Sequence, residues 1–288
     1  MSSASPPKSQ LAKEKSLSLF DLAGRVAVIT GGAGLLGMKH AEMIAAAGGI
    51  PVLIDLRQAC PEGRAIELSK KSDCDSLGFA ANIADPAEVD AVCKAVLKKY
   101  SRIDILINNA ANNPKMESNS DIEWSRLENL SLEAWEADLR VGLTGAFLCS
   151  RAFGLEMAKR GKGVILNVAS DLAIIAPDQR LYRKDGLPES EQPVKPITYS
   201  VVKSGILGLT RYLATYWAGA GVRVNAISPG GVYNGQPQVF VDKLQQLIPL
   251  GRMANVDEYQ GTILFLCSDA SSYMTGSNLI IDGGRTCW

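Results

Sequence analysis

The sequence predicts one α/β domain built on a doubly wound sheet of seven parallel strands. From Gly24 onward, short apolar runs alternate with helical patterns, which is typical of a parallel sheet covered by helices on both faces. The 288 residues are 47% hydrophobic, which supports a substantial core. The sequence has no linker long enough to divide it and no internal repeat, so all the strands are expected in one domain.

The elements follow one another in regular alternation. Strands are predicted at 25–30, 51–55, 77–81, 103–108, 163–169, 222–227 and 278–282. Helical patterns fill the stretches at 34–48, 62–71, 86–100, 132–160, 199–218 and 255–268. The opening residues 1–20, rich in Ser, Lys and Pro, are predicted to be a disordered tail, so the domain is expected to span 21–288.

Charge and cysteine content exclude several classes of function. Lys plus Arg and Asp plus Glu both number 30, so there is no net field to attract nucleic acid or an anionic membrane. The six cysteines are scattered without a C-x-x-C pair and there is a single histidine, so no metal site is predicted. No apolar run reaches the roughly 20 residues that cross a bilayer. We expect a cytoplasmic protein with reduced thiols and a small-molecule substrate.

The stretch TGGAGLLG at 30–37 occupies the position of a phosphate-binding loop. It follows the first predicted strand and begins a helix, where free N–H groups and the positive end of the helix dipole can meet a pyrophosphate. Its glycines satisfy G-x-G-x-x-G from Gly32 and T-G-x-x-G-x-x-G from Thr30, and they satisfy T-G-x-x-x-G-x-G except at the sixth position.

An acidic residue, Asp55, closes the second predicted strand. Its carboxylate can accept hydrogen bonds from both hydroxyls of an adenosine ribose and would repel a 2′-phosphate, so NAD is predicted in preference to NADP. The guanidinium of Arg57, two residues later, is able to pair with a phosphate, although an exposed and solvated side chain is the favoured interpretation.

Two further motifs resemble the short-chain dehydrogenase/reductase family. NNAA at 108–111 is similar to the N-N-A-G segment of that family, and ISPGGV at 227–232 is similar to its proline-glycine turn beside the nicotinamide. The resemblance runs from about Gly24 to Gly284 and implies a Rossmann fold. The closing stretch ASSYMTGSNLIIDGG is typical of the single-domain members, whereas the glycine spacing is that of the extended sugar-nucleotide branch.

The resemblance also implies a set of cofactor contacts. Asn82 stands where many relatives carry an adenine-contacting aspartate, Ile83 would cover the adenine ring, and Val232 would offer its N–H to the carboxamide. Asn109 and Ala110 would line the ribose and nicotinamide side. The full predicted set is Gly31, Gly34, Leu35, Leu36, Asp55, Asn82, Ile83, Asn109, Ala110, Tyr199, Lys203, Pro229, Gly230 and Val232.

The motif YSVVK at 199–203 carries the predicted chemistry. It places Tyr199 and Lys203 one turn apart on one face of a helix. A phenol has an ordinary pKa of about 10, and the Lys203 ammonium together with an oxidised nicotinamide ring is expected to lower it, which makes Tyr199 the general acid/base. Ser170, at the carboxyl end of GVILNVAS, is expected to hold the substrate oxygen. The family resemblance implies that Lys203 also holds the nicotinamide ribose.

One position departs from the family pattern. In VGLTGAF the family usually has an asparagine where Gly142 stands, and that amide carries a proton-relay water from the lysine to solvent. Glycine has no side chain for this task. We expect either a substitute water or neighbouring group, or a slower relay, since hydride transfer itself does not require the residue.

An insert at about 175–196 lies between Ser170 and Tyr199 and is predicted to shape the substrate pocket. Its charges balance, which favours a solvated lid over an anion site; they are Arg180, Arg183, Lys184, Lys195, Asp178, Asp185, Glu189 and Glu191. The insert, the glycine loop and SPGGVYNGQP together resemble a bacterial subgroup associated with surface-polysaccharide and flagellar-glycan synthesis. That resemblance implies a sugar phosphate or nucleotide-linked sugar as the substrate class.

Two helical stretches carry more apolar residues than one face of a sheet can bury. Apolar residues between Tyr199 and Ala218 cover more than a third of the helix circumference, and the stretch from Trp135 to Met157 is similarly broad. We therefore expect a partner subunit to cover the remainder, in a homodimer or homotetramer.

The predicted function is an NAD(H)-dependent alcohol dehydrogenase or carbonyl reductase acting on a sugar-derived or other polar hydroxyl. Two alternatives stay open. The glycine spacing also fits an NAD-dependent sugar-nucleotide epimerase or dehydratase, which would retain its cofactor through the cycle. The loss of the relay asparagine at Gly142 leaves room for a non-catalytic NAD-binding sensor. A complete Ser/Tyr/Lys set favours the enzyme.

Overall fold

The structure is a computed structural model that describes residues 16–113 and 123–288. Most of the predicted tail lies outside the described residues. Its last part does not: residues 16–18 form a helical turn, and the carbonyl of Leu19 accepts a hydrogen bond from the N–H of Ala270 at 3.0 Å. The chain therefore contacts the folded domain a few residues before the predicted boundary.

Seven parallel strands form one sheet, which confirms the predicted fold class. They are β1 (Val26–Thr30), β2 (Ile50–Asp55), β3 (Leu77–Ala80), β4 (Ile105–Asn108), β5 (Gly163–Val168), β6 (Val222–Pro229) and β7 (Asn278–Ile281). Their order across the sheet is β3-β2-β1-β4-β5-β6-β7. The direction of winding reverses between β1 and β4, so a crevice opens there at the carboxyl ends of the strands.

The described residues contain eight α-helices, most of which pack on the sheet. They are α1 (Leu35–Ala46), α2 (Pro61–Ser72), α3 (Pro86–Tyr100), α4 (Leu132–Leu139), α5 (Gly145–Lys159), α6 (Ile197–Tyr216), α7 (Gln238–Gln245) and α8 (Gln260–Cys267). Local signals fix several starts: proline occupies the first position of α2 and α3, and the Asp85 carboxylate accepts hydrogen bonds from two N–H groups of α3. None of these helices is both long and apolar enough to span a bilayer.

The two faces of the sheet bury alternate strand residues in separate cores. Val26 and Val28 of β1 belong to the core beneath α3, α5 and α6. Ala27 and Ile29 of the same strand belong to the core beneath α1 and α8. All four side chains are completely buried. A parallel strand with both faces covered is therefore apolar throughout, as the sequence runs indicated.

The predicted helix over 132–160 is interrupted in the structure. A π-helical turn, Arg140–Thr144, separates α4 from α5. Gly142 in this turn is buried against α6, where a Cβ atom would overlap Cγ1 of Val202. The widened turn thus lies where two helices approach closely, a contact that the helical periodicity of one segment does not reveal.

A small third core was not predicted. Leu181 and Tyr182 of the insert pack with Leu244 of α7, and the rings of Tyr182 and Phe240 have centroids 5.7 Å apart. Helix α7 was not among the predicted helices; with eight residues it makes only about two turns, which gives a short periodic signal. The insert therefore has an apolar anchor on α7 in addition to its charged residues.

Candidate active site

A cavity of about 570 Å³ opens at the carboxyl ends of the strands, a volume typical of cofactor and substrate sites. The glycine loop and β2 line one end, and β5, α6 and the insert line the other. Every predicted site residue lines this cavity: Gly31, Gly34, Leu35, Leu36, Asp55, Asn82, Ile83, Asn109, Ala110, Ser170, Tyr199, Lys203, Pro229, Gly230 and Val232.

The glycine loop forms a close-packed turn in front of α1. Gly31 has a φ of +60°, and a Cβ atom there would lie 2.9 Å from Cα of Ala110. A Cβ atom on Gly37 would overlap the carbonyl oxygen of Gly31. Gly34 is the N-cap of α1 and has no side chain that could accept hydrogen bonds from the first N–H groups of the helix. These N–H groups are therefore available to an anionic ligand. The loop thus uses glycine at the positions of T-G-x-x-G-x-x-G.

The Asp55 carboxylate is fixed beside this loop. One oxygen accepts a hydrogen bond from the N–H of Ala33 at 3.1 Å, and the other accepts one from the N–H of Leu56 at 2.8 Å. Each oxygen retains a further lone pair, so the carboxylate can also accept hydrogen bonds from ribose hydroxyls. Arg57 is exposed and does not line the cavity, which agrees with the solvated interpretation.

Two predicted contact residues also make structural hydrogen bonds. The Asn109 amide donates to the carbonyl oxygens of Thr30 and Gly31 at 3.0 and 3.1 Å, and therefore braces the glycine loop. The Asn82 side-chain oxygen accepts a hydrogen bond from the N–H of Ala84 at 3.0 Å. Sequence reasoning assigned both amides to the cofactor and did not find these local roles.

The catalytic candidates meet at the start of α6. Pro196 precedes the helix, so Tyr199 lies in the first turn and Lys203 follows one turn later. The Lys203 Nζ lies 5.8 Å from the centroid of the Tyr199 ring and donates to the carbonyl oxygen of Val168 at 2.8 Å. The Ser170 hydroxyl lies beside the Tyr199 phenol, where a hydrogen bond from the serine lowers the pKa of the phenol. The structure thus brings the three predicted residues together.

The direction of the Tyr199 pKa differs from the sequence expectation. Burial raises the pKa of this phenol above its ordinary value, the Ser170 hydrogen bond opposes the rise, and the negative charge of Asp171 adds to it. Burial and the charge of Lys195 lower the pKa of Lys203 to about 8. The expectation that the protein's own side chains lower the Tyr199 pKa was therefore wrong. It considered the Lys203 ammonium and neglected the desolvation of the phenolate.

Sequence reasoning missed a second lysine beside the tyrosine. Lys195, from the insert, is 9% exposed, and its Nζ lies 4.2 Å from the centroid of the Tyr199 ring. The same ammonium donates to Oδ1 of Asn113 at 2.6 Å. Arg180 and Arg183 are exposed and pair with acidic residues of the insert. The balanced charge count could not distinguish the buried lysine from these solvated neighbours.

Two more charged residues reach the cavity without a sequence signal. Asp171 and Arg285 form an ion pair at 2.8 Å, and both side chains are buried. Arg285 follows the last strand by only a few residues, just beyond the stretch that resembles the family. Asp171 directly follows Ser170, which donates to it at 2.8 Å.

The place of the family's relay asparagine is filled by packing. Gly142 is buried, and the Val202 side chain occupies the space that its Cβ atom would take. One turn earlier, Asp138 accepts hydrogen bonds from Thr198 at 2.5 Å and from Asn112 at 3.0 Å. A substitute relay through a water or a neighbouring group remains a prediction.

Comparisons with known proteins agree with this geometry. Residues 25–180 match the family model described as short chain dehydrogenase, and residues 189–286 match one described as enoyl-(acyl carrier protein) reductase. A D-threitol dehydrogenase of Mycolicibacterium smegmatis is 35% identical over 272 residues, which cover 93% of this chain and 95% of the relative. An NAD-dependent glycerol dehydrogenase of Listeria innocua is 32% identical over 273 residues, covering 93% and 96% of the two chains.

The chain is also similar in fold to a solved structure. The gluconate 5-dehydrogenase of Burkholderia cenocepacia, in complex with NADP and tartrate, superposes with a TM-score of 0.82 at 27% identity. The match covers 95% of this chain and 99% of that one. Both domain architecture and length therefore correspond along the whole described fold.

Proposed function

The chain belongs to the short-chain dehydrogenase family and is an oxidoreductase of CH–OH groups; from this premise we propose that it interconverts a hydroxyl and a ketone on a sugar alcohol or related polyol. The relatives named above act on threitol, glycerol and gluconate, which are small polyhydroxylated molecules. They support a free polyol over the sugar phosphate or nucleotide-linked sugar that the surface-polysaccharide resemblance implied.

The cavity carries this proposal because its two ends suit two different groups. The glycine loop and the start of α1 form a cradle for a pyrophosphate, in which the Cβ atom of any residue other than glycine at position 31 would crowd Ala110. Ser170, Tyr199 and Lys203 lie at the other end. When bound, the nicotinamide cofactor supplies or accepts the hydride.

The side chains of this chain are proposed to handle the proton and the substrate oxygen. Tyr199 donates its proton to the carbonyl oxygen in reduction and accepts it back from the hydroxyl in oxidation. Ser170 holds the same oxygen by a hydrogen bond, and Lys203 orients the nicotinamide ribose. Burial keeps the phenol of Tyr199 protonated at neutral pH, which is the form that reduction requires.

NAD is the proposed cofactor, with NADP disfavoured. The fixed carboxylate of Asp55 stands where a 2′-phosphate would bring a second negative charge. The relatives include an NAD-dependent enzyme and one solved with NADP, so the preference depends on this residue of the chain itself. A cytoplasmic location is proposed on the six cysteines, all free thiols in the structure.

A substrate panel tests the function. Purified protein is incubated with NAD and C3 to C6 polyols, with nucleotide sugars as a separate arm, and reduced cofactor is followed by its absorbance. We expect stoichiometric NADH from at least one polyol. A nucleotide sugar converted without net NADH would indicate the epimerase or dehydratase, and NAD binding with no turnover on any member would indicate the sensor.

Tyr199→Phe tests the catalytic assignment within the same assay. The substitution should lower turnover by about 10²- to 10⁴-fold while leaving the Kd for NADH within a few-fold, because the ring stays and only the proton donor is lost. Unchanged turnover would refute the role of Tyr199.

A further inference from the structure

The Ser170 hydroxyl is held by two charged residues, Asp171 and Arg285, that lie outside the motifs carrying the family resemblance. Ser170 donates to Oδ1 of Asp171 at 2.8 Å, and the N–H of Leu172 donates to the same Oδ1 at 2.8 Å. Nη1 of Arg285 donates to Oδ2 at 2.8 Å. Both oxygens of the carboxylate are therefore engaged, and its orientation beside the serine is fixed.

The pair is deeply buried, so each charge depends on the other. The side chains of Asp171 and Arg285 are 4% and 8% exposed. Loss of one partner from such a pair leaves an uncompensated charge in a site of low polarity, where charges act strongly on their neighbours. The charge of Asp171 also acts on Tyr199, where it raises the pKa of the phenol.

A braced turn near the C-terminus holds the Arg285 guanidinium at the cavity. Gly283 and Gly284 have φ values of +66° and +90°, which turn the chain back towards the cavity. The Asp282 carboxylate then accepts hydrogen bonds from the N–H groups of Gly284 and Thr286 at 2.9 and 2.7 Å. This bracing makes Arg285 a fixed feature of the site.

We propose that Asp171 and Arg285 form a positioning pair that sets the direction of the Ser170 hydroxyl and the pH at which Tyr199 exchanges its proton. The proposal rests on the proposed function, since Tyr199 must be the acid/base for its ionisation to matter. The single proton of Ser170 points to Asp171, whereas a hydrogen bond from the same hydroxyl to the Tyr199 oxygen would lower the pKa of that phenol. The two acceptors therefore compete for one proton. Arg285 weakens Asp171 as a competing acceptor, which lets the serine turn to a substrate oxygen.

Four other titratable side chains lie near Tyr199 or the Asp171–Arg285 pair. The Tyr199 ring is faced by the ammonium groups of Lys195 and Lys203. The charges of the Asp171–Arg285 pair also reach Asp178 of the insert and Tyr259 before α8. Among the described charged side chains near the site, Arg285 is the cation that is hydrogen-bonded to Asp171.

The test measures the ionisation of Tyr199 in three variants. Arg285→Met removes the cation, Asp171→Asn removes the anion with little change of shape, and the double variant removes both. Phenolate formation is titrated by ultraviolet difference spectroscopy in the presence of NAD, with Tyr199→Phe in each background as the blank. This readout needs no substrate, so it remains informative if no polyol is turned over.

We expect opposite shifts in the two single variants. The Tyr199 pKa should rise by about one unit or more in Arg285→Met, which at a fixed pH is about tenfold less phenolate, and should fall in Asp171→Asn. The double variant should return close to the wild-type value. On an active polyol, the alkaline-rising limb of kcat for oxidation should move in the same directions, with the KM for NAD within a few-fold.

A matched control separates positioning from folding. Arg160 pairs with the largely buried Asp104 at 3.0 Å, beside the amino end of β1 and away from the cavity. Arg160→Met should lower the melting temperature without moving the Tyr199 titration. The proposal is overturned if Arg285→Met titrates like wild type. If that variant does not fold, an unshifted Tyr199 pKa in Asp171→Asn overturns it in the same way.

Discussion

At the scale of single residues, the site depends on how many cations surround one phenol. The motif YSVVK predicted one ammonium beside Tyr199, and the structure has two, from Lys203 and from Lys195 of the insert. They also repel each other, and burial together with the charge of Lys195 lowers the pKa of Lys203 to about 8. The charge state of this corner of the cavity therefore changes within an ordinary assay range.

Removal of Lys195 should change the pH profile at both ends. In Lys195→Met, the pKa of Lys203 rises because a repelling charge is lost, so the decline in rate that follows its deprotonation moves above pH 8. The Tyr199 phenolate loses a cation 4.2 Å from its ring, so the oxidation rate at pH 7 falls by about tenfold. The measurement is kcat against pH for a polyol, with Arg180→Met, an exposed residue of the same insert, as the control that should keep the wild-type profile.

Cofactor preference is also a single-residue property. Asp55→Asn removes the negative charge and keeps an acceptor oxygen for the N–H of Ala33 or Leu56. Because a like charge next to a 2′-phosphate is strongly unfavourable, the ratio of kcat/KM for NADP over NAD should rise by at least about tenfold. An unchanged ratio would show that another part of the cavity selects the cofactor.

Residue types at strand ends were predictable because strand ends fix where side chains go. Asp55 closes one apolar strand and Ser170 follows another, and the sheet brings the carboxyl ends of its parallel strands to one edge. Arg285 and Lys195 were not predictable in this way, since they reach the cavity from a C-terminal turn and from an insert. Their positions depend on tertiary packing that no local pattern records.

At the scale of elements, the sequence predicted where helices and strands lie better than how helices touch. The strands agree closely with prediction, whereas α8 begins at Gln260 instead of 255 and the helix over 132–160 is broken by a π turn. Hydrophobic periodicity reports the face that a helix buries. It does not report the distance between α6 and the turn that contains Gly142, where the two segments are too close for a Cβ atom at position 142.

The close approach at Gly142 gives a test of this contact. Gly142→Ala should destabilise the protein by about 1–3 kcal/mol, because the new methyl group overlaps Val202. In a double-mutant cycle with Val202→Ala, the cost of Gly142→Ala should largely disappear. The measurement is urea unfolding. Gly63→Ala, at an exposed position of α2 where the only described neighbour of the new Cβ atom is Cβ of Cys60 at 3.9 Å, should instead raise stability by up to about 1 kcal/mol.

At the scale of the whole molecule, the described chain is a complete sheet with both faces covered, yet it keeps apolar side chains on its surface. Phe147 and Leu155 of α5 are each 45% exposed, and Tyr212 and Tyr216 of α6 are 63% and 64% exposed. The two tyrosine rings stack at 5.8 Å. The sequence predicted this excess because too many positions of both helices are apolar for one sheet face.

These exposed positions carry the prediction of a homo-oligomer. Tyr216→Glu places a charge among them, and burial of an unpaired carboxylate against a second subunit is costly, so the assembly should dissociate or lose at least about tenfold in association constant. The measurement is molar mass by light scattering across a dilution series. Ile66→Glu on α2, at a position 57% exposed on the far side of the sheet, is the matched control and should leave the mass unchanged. A wild-type chain that is monomeric at every concentration would contradict the prediction. The stacked rings of Tyr212 and Tyr216 would then be exposed to water in the native protein.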